Sequence, residues 1–160
     1  KFGADASRYL LMASTPFGQD GDISWDKMTV KYNADLANGV GNLVSRVFTI
    51  IEKNFDGQIA AEKVELDISK QMEELKLFEA LQIVREKIVW ANQRIDATKI
   101  WDLVKTNKDE AQKILAELLG AIIAIGEALV PFMPETADKI LTMAKAEKIK
   151  KGEGLFPRLK

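Results

Sequence analysis

A single helical stripe constrains the fold of this chain more than any other sequence feature. Apolar side chains recur at the i, i+3/i+4, i+7 spacing of one helix face, at Leu36, Val40, Leu43, Val44, Val47, Ile50, Ile51 and Phe55. This spacing is typical of a helix that buries one side against a core. No segment of useful length alternates apolar and polar residues as a half-buried strand would. The sequence therefore predicts an all-α protein.

Caps, breakers and periodicity place the other helices. Ser24 and Asn33 are candidate N-caps because their side-chain oxygens can accept hydrogen bonds from free backbone N–H groups at a helix start. Residues 58–66 are the least periodic, and we expect a loop there. The helices are expected over residues 4–13, 24–32, 33–55, 67–97, 109–130 and 134–146. Together they predict an antiparallel helix bundle of five or six helices.

Composition excludes several classes of chemistry. The 160 residues suffice for one domain with a proper core, and they include no cysteine and no histidine. Thiol nucleophiles, disulfides, imidazole bases and ordinary zinc sites are thereby excluded. The segment 20–22 (Asp-Gly-Asp) lacks the spacing and the terminal glutamate of a calcium loop, and Glu73 and Glu74 are adjacent rather than facing. We therefore predict neither a metal site nor a catalytic residue.

Charge and hydropathy limit the partners. The net charge of −1 is unsuited to coating DNA, although a local patch could still bind a few unpaired bases. The apolar run 114–132 carries Glu117 and Glu127 on one side, which favours a core helix with one wet edge over a membrane span. No signal peptide is visible, and the start at Lys1 suggests a piece of a longer protein. We expect a cytoplasmic location, which the absence of cysteine fits.

Asn42 and Arg46 are the candidate binding residues. They lie one helical turn apart, away from the buried stripe, so their side chains share one surface. An amide beside a guanidinium offers directed donors and one acceptor, which suits the edge of an unpaired base. The same pattern is also common on an ordinary solvated helix surface. Both interpretations stay open on pattern alone.

Motifs along the whole chain carry a family resemblance. They are Phe-Gly-Ala-Asp-Ala-Ser-Arg-Tyr at 2–9, Pro-Phe-Gly-Gln-Asp-Gly-Asp at 16–22, Asn-Ala-Asp-Leu-Ala-Asn at 33–38 with Gly-Asn-Leu at 41–43, Ala-Asn-Gln-Arg-Ile-Asp at 91–96, Pro-Phe-Met-Pro-Glu-Thr-Ala at 131–137 and Leu-Phe-Pro-Arg at 155–158. In this order they resemble the anticodon-binding region of methionyl-tRNA synthetases, which are class I aminoacyl-tRNA synthetases. The 17–22 turn and the closing Phe-Pro-Arg are the more particular motifs; the Gly-Ala-Asp and Asn-Gln-Arg-Ile-Asp segments are shared more widely in class I.

The resemblance implies roles for three residues. Asn42 and Arg46 match the family positions that read the first base of the anticodon CAU, and Trp101 matches the tryptophan that stacks on the anticodon. Without the resemblance, Trp101 would be interpreted as a core residue. The implied partners are tRNA(Met) and a catalytic domain of the same chain, with no membrane and no DNA.

The resemblance also implies a division of the chain. Residues 1–23 would connect to a catalytic domain, 24–147 would form the helical anticodon-binding domain, and 148–160 a basic tail. ATP and Mg²⁺ would be bound by the catalytic part, whose signature motifs this sequence lacks, so no cofactor is expected here. Two departures stand out: Ile100 replaces the proline common before the tryptophan, and the stretch between residues 57 and 74 is short.

Alternatives stay open for the tail and for the function. Lys148, Lys150 and Lys151 could contact the tRNA backbone or simply form a solvated chain end. The domain could instead belong to a sister synthetase for isoleucine, valine, leucine or cysteine. It could also be a helical interaction module that binds no RNA.

Overall fold

The computed structural model describes residues 2–16, 18–21 and 23–160, and all regular structure in this part of the chain is helical. The elements are α1 (Ala4–Met12), α2 (Trp25–Lys31), a π-helical stretch (Tyr32–Gly41), α3 (Asn42–Phe55), α4 (Ser69–Glu73), α5 (Leu77–Thr98), α6 (Ile100–Thr106), α7 (Lys108–Leu129) and α8 (Pro134–Ala144). The predicted all-α class is confirmed. Phe17 and Asp22, which belong to the predicted turn, lie outside the described residues.

Helix α7 is the centre of the core. Thirteen of its 22 residues are buried, and it packs against α3, α5, α6 and α8. Its two interior glutamates lie at the wet edge, where Glu117 pairs with Arg94 and Glu127 pairs with Lys145. The interpretation of this apolar run as a core helix is therefore correct. Among the described helices, none is long and apolar enough to cross a membrane.

The predicted boundary between two helices at residues 32–33 is wrong, because the chain stays helical from α2 through the π-helical stretch into α3. Ser24 does cap α2, accepting a hydrogen bond from the N–H of Lys27 at 3.3 Å. Asn33 caps nothing. Its side-chain amide instead bonds the backbone of Leu159 in both directions, each at 2.9 Å. From the sequence alone, Asn33 has the properties of an N-cap, although its hydrogen-bond partner lies far along the chain.

The predicted single helix over 67–97 is also wrong, because the chain breaks between α4 and α5. Leu75 adopts a left-handed backbone with φ 56°. The N–H of Lys76 bonds the carbonyl of Gln71 at 2.7 Å, closing the end of α4 in the manner of a helix C-cap. Leu75 itself is 74% exposed. The apolar period continues across the break, which is why periodicity does not reveal it.

The continuous helix formed by α2, the π-helical stretch and α3, hereafter the long helix, runs parallel to α5 within the bundle. The ion pairs between the two helices advance in the same direction along both of them, from Asp35–Arg85 to Arg46–Asp96. A parallel pair requires the chain to travel back between its members. The non-helical residues 58–68, which include the predicted loop, provide this return.

The return segment crosses α7 at a glycine. The N–H of Glu62 bonds the carbonyl of Ala116 at 3.0 Å. A Cβ on Gly120 would lie 1.9 Å from the carbonyl oxygen of Glu62, so any side chain at this position would push the two backbones apart. The crossing therefore depends on Gly120.

The basic tail packs back along the long helix. The N–H of Ile149 bonds the carbonyl of Gly57 at 2.9 Å, and Ile149 is buried. Gly57 has φ 76°, and a Cβ there would lie 2.7 Å from the carbonyl oxygen of Ile149. Further on, the ring of Phe156 meets Tyr32 edge-on at 6.0 Å between centroids. The tail is thus held at both of its ends by the helix that carries the candidate pair.

Candidate nucleic-acid interface

Asn42 and Arg46 lie in the first two turns of α3, as the sequence predicts. The buried neighbours Leu43, Val44 and Val47 fix the inward face of the helix, so the candidate pair is directed away from it. The side chain of Arg46 is 27% exposed. Amphipathicity alone is enough to place both groups on the surface.

A matching pair on α5 holds both candidate side chains. The amide nitrogen of Asn42 donates to Oδ1 of Asn92 at 3.4 Å, and Nη2 of Arg46 donates to Oδ1 of Asp96 at 2.6 Å. Asn92 is fixed in turn, since its Nδ2 reaches the carbonyls of Ile88 at 3.1 Å and Gly39 at 3.3 Å. Two i, i+4 pairs therefore face each other across the parallel helices.

Sequence reasoning missed Asn92 and Asp96 as members of this surface. Their i, i+4 spacing is the same as that of Asn42 and Arg46, and both lie in a motif noted for the family resemblance. The available signal was the repetition of this spacing on two helices. Because neither periodicity nor spacing gives the relative register of two helices, the partnership could not be read from the chain.

Trp101 joins the same surface from α6. Lys99, with φ 44°, turns the chain between α5 and α6, and the fully buried Ile100 anchors the turn in the core. Trp101 is 42% exposed, so a core role does not fit it. The guanidinium carbon of Arg46 lies 5.6 Å from its ring centroid, within the range of a cation–π contact. Where the family commonly has proline, Ile100 here serves as a hydrophobic anchor.

This arrangement combines hydrogen-bonding groups with an aromatic face. In this pair the Asp96 side chain is 63% exposed and that of Arg46 is 27% exposed, so water screens the carboxylate and weakens its attraction for the guanidinium. Proteins that bind single-stranded nucleic acid use amides and guanidinium groups for base-edge contacts and exposed aromatic rings for stacking. This surface contains an amide, a guanidinium and an exposed indole. The geometry is therefore suited to binding an unpaired base.

The three candidate lysines lie elsewhere, at the C-terminal end of α3. Lys148 Nζ pairs with Oδ2 of Asp56 at 2.8 Å, and this hydrogen bond lowers the pKa of Asp56. Lys150 and Lys151 are exposed, and the backbone N–H of Lys151 bonds Glu52 at 3.2 Å. The charge of Lys148 is thus compensated, whereas Lys150 and Lys151 face solvent.

The part of the chain that the structure describes holds no group of three or more acidic, histidine or cysteine side chains that could bind a metal ion.

Comparison with known proteins assigns the chain to a family. A family model described as "tRNA synthetases class I (M)" matches residues 1–48, and one described as "Anticodon binding domain of methionyl tRNA ligase" matches residues 48–155. The chain is 35% identical over 193 residues to a methionine–tRNA ligase of Clostridium acetobutylicum, and the match covers 99% of this chain and 30% of that protein. A methionine–tRNA ligase of Caldanaerobacter subterraneus is 32% identical over 197 residues, with the same coverage.

Solved structures agree with the family models. The apo methionyl-tRNA synthetase of Mycobacterium tuberculosis matches with a TM-score of 0.80 and 26% identity, covering 99% of this chain and 39% of that one. Its complex with methionyl-adenylate matches with a TM-score of 0.81 and 26% identity, covering 98% and 38%. The chain spans about 30% of the length of the curated relatives it matches, and the longer alignments mean that these relatives carry residues absent here. The chain belongs to the family of methionyl-tRNA ligase anticodon-binding domains.

Proposed function

We propose that this domain recognises the anticodon CAU of tRNA(Met), with Asn42 and Arg46 contacting the first base and Trp101 stacking on the anticodon. The observation that carries the proposal is the convergence of α3 and α6, which brings the Arg46 guanidinium within 5.6 Å of the Trp101 ring centroid on an exposed surface. The match of residues 48–155 to the anticodon-binding family supports it.

The chemistry of cytosine suits the pair. Its pairing edge presents a carbonyl and a ring nitrogen as acceptors and an amine as donor. Arg46 can donate only, whereas Asn42 can donate or accept, so together they can match all three groups. Stacking on Trp101 contributes ~1–3 kcal/mol with little dependence on the base. Specificity therefore rests on Asn42 and Arg46, and Trp101 adds affinity.

In the longer protein, this recognition would position tRNA(Met) for aminoacylation by a catalytic domain of the same chain. We place the binding of ATP, methionine and Mg²⁺ in that catalytic domain and assign no catalytic residue here. The whole protein would be a cytoplasmic methionine–tRNA ligase. Coupling of anticodon binding to catalysis requires both sites on one chain, so this domain alone would show binding only.

Lys150 and Lys151 are proposed as additional contacts to the tRNA backbone, and Lys148 could join them by releasing Asp56. Each phosphate contact of this kind strengthens binding without regard to sequence. Their removal would therefore weaken binding to all loops equally.

The test is a titration of an anticodon stem-loop bearing CAU against one with the first base changed. Arg46→Ala is expected to weaken binding of the CAU loop by ~1–3 kcal/mol and to abolish the preference between the two loops. Asn42→Ala should reduce the same preference. Arg94→Ala is the matched control, because Arg94 also pairs with one carboxylate, at 3.1 Å from Glu117, but is not joined to Trp101.

Trp101→Ala separates the proposal from a helical module without RNA binding. We expect it to weaken binding to both loops similarly, while the exposed position of Trp101 leaves stability little changed. Equal and purely salt-sensitive binding of both loops by the wild type would contradict the proposal. A preference for a different anticodon would indicate a different synthetase specificity.

A further inference from the structure

A second concave site adjoins the proposed base-reading surface. A cavity of about 260 Å³ lies between the π-helical stretch, the start of α3 and the returning tail. Asn42 lines this cavity and also belongs to the reading pair, so the two sites share a wall. Asn38, Ser45 and Arg158 supply its other hydrogen-bonding side chains.

Arg158 gives the cavity an uncompensated positive charge. It is the sole charged residue among the described residues that line the cavity. Its Nε donates to Oδ1 of Asn38 at 2.9 Å, so its partner is a neutral amide. Arg46, by contrast, is paired with a carboxylate. Of the two guanidinium groups near Asn42, that of Arg158 is therefore the one whose charge is available to attract an anion.

The tail holds Arg158 in place. The next residue, Leu159, is fixed by two hydrogen bonds to the side chain of Asn33, and Phe156 packs against Tyr32. Because the backbone is anchored on both sides and Nε is bound to Asn38, part of the conformational freedom of the exposed guanidinium is already restricted before a ligand binds. Pre-organisation of this kind improves affinity.

We infer that this cavity binds a phosphodiester of the RNA loop, next to the nucleotide read by Asn42 and Arg46, with Arg158 as its cationic contact. The inference rests on the proposed function. A phosphodiester is the group that adjoins every base, carries one negative charge and accepts hydrogen bonds from guanidinium, amide and hydroxyl donors alike. The shared wall at Asn42 selects the RNA backbone over an unrelated anion.

The test removes the negative charge of the phosphodiester in the RNA and, separately, the positive charge of Arg158 in the protein. CAU stem-loops are prepared with one neutral methylphosphonate on either side of the first anticodon base. For the wild-type chain, one of these loops should bind roughly ten-fold more weakly than the unmodified loop. Arg158→Gln should bind the unmodified loop roughly ten-fold more weakly, yet show no further loss with the modified one. Its salt dependence should fall by roughly 0.7 in slope, the value for one phosphate contact on a single strand.

Two variants serve as controls. Lys160→Gln removes the same charge from an exposed position two residues away, and it should retain the full sensitivity to the neutral linkage. Arg158→Lys keeps the charge but loses the Nε contact, so it should bind between the wild type and Arg158→Gln. Thermal unfolding of all variants shows whether the tail remains packed.

The outcomes separate the inference from the proposed function. If Arg158→Gln loses affinity at the neutral linkage as strongly as the wild type does, the cavity does not bind that phosphate and the inference fails. The preference for CAU would then still stand. If the wild type shows no preference between first bases, the proposed function fails, and the inference fails with it.

Discussion

The long helix and α5 meet through charged pairs at two places, and the two pairs have opposite polarity. Near the start, Asp35 lies on the long helix and Arg85 on α5, at 3.1 Å. Farther along, Arg46 lies on the long helix and Asp96 on α5, at 2.6 Å. The side chain of Asp35 is 4% exposed, whereas that of Asp96 is 63% exposed.

The buried pair belongs to a network and the exposed pair does not. Asp35 also accepts from Lys31 at 2.9 Å and from the hydroxyl of Tyr9 at 3.2 Å. A buried carboxylate with three donors cannot exchange them without a large cost. Asp96 is screened by water, so breaking its pair with Arg46 costs less than breaking the buried pair of Asp35 with Arg85. The same residue types thus form a buried network that holds the helices together at one place and a single water-screened ion pair at the other.

Removal of Asp35 should have the largest effect. Asp35→Ala leaves Arg85, Lys31 and the Tyr9 hydroxyl without their shared acceptor. Because Arg85 is partly exposed and can turn to water, we expect a loss of about 2–4 kcal/mol in the free energy of unfolding, at or below the range for a fully buried pair. Urea denaturation measures it. A loss below that for Asp96→Ala would contradict the comparison.

Reversal of the exposed pair should separate stability from recognition. Arg46→Asp combined with Asp96→Arg restores an ion pair with the polarity of Asp35–Arg85. We expect the free energy of unfolding to stay within about 1 kcal/mol of the wild type. Preference for a CAU stem-loop should nevertheless be lost, at ~1–3 kcal/mol in binding. Retained preference in the double variant would show that the pair acts only through its net charge.

The buried network should also respond to pH through Tyr9. Burial first, and then the neighbouring Asp35 charge, raise the pKa of Tyr9 above its ordinary value. The folded state therefore retains this proton more strongly than the unfolded state, so its stabilising effect is complete below the unfolded pKa of about 10 and is lost as the pH rises beyond it. Tyr9→Phe should cost about 1 kcal/mol near neutral pH.

The quantity to measure is the difference in free energy of unfolding between the wild type and Tyr9→Phe. This difference cancels the titration of Tyr32, because burial raises the pKa of Tyr32 in both proteins. Urea denaturation of both proteins at rising pH should show the difference shrinking above about pH 10. A difference that grows with pH would show that the hydroxyl ionises more easily in the folded state.

The smallest effect on stability is expected for Asp96→Asn. The amide keeps an oxygen acceptor for Arg46 and removes a charge that water already screens, so the free energy of unfolding should change by less than about 0.5 kcal/mol. Loss of a negative charge beside the proposed base-reading surface should strengthen binding to either loop by about five-fold. A large loss of stability would show that Asp96, like Asp35, is needed to hold the two helices together.

Sequence reasoning succeeded where one element carries its own information. The stripe from Leu36 to Phe55 determines which way Asn42 and Arg46 face, and both lie where it predicts. The loop over 58–66 follows from missing periodicity. These features depend only on neighbours along the chain.

It failed where partners lie far apart in the chain. Asn33 has the chemistry of a cap, but its partner is Leu159. Leu75 continues an apolar period, yet it occupies the left-handed turn between α4 and α5. The pairing of Arg46 with Asp96 depends on the register of two parallel helices, which no local pattern encodes. The roles assigned to Asn42, Arg46 and Trp101, and the division of the chain at residues 23 and 147, remain predictions.

The extended crossing over α7 makes this domain suitable as a split protein. Residues 60–63 are exposed, and a break between Ala61 and Glu62 would leave Asn42 and Arg46 on one piece and Trp101 on the other. The second piece would still hold the first through Leu159 and Asn33, and through Ile149 and Gly57. Neither piece alone contains the proposed base-reading surface, so RNA binding would report the reassembly of the two pieces.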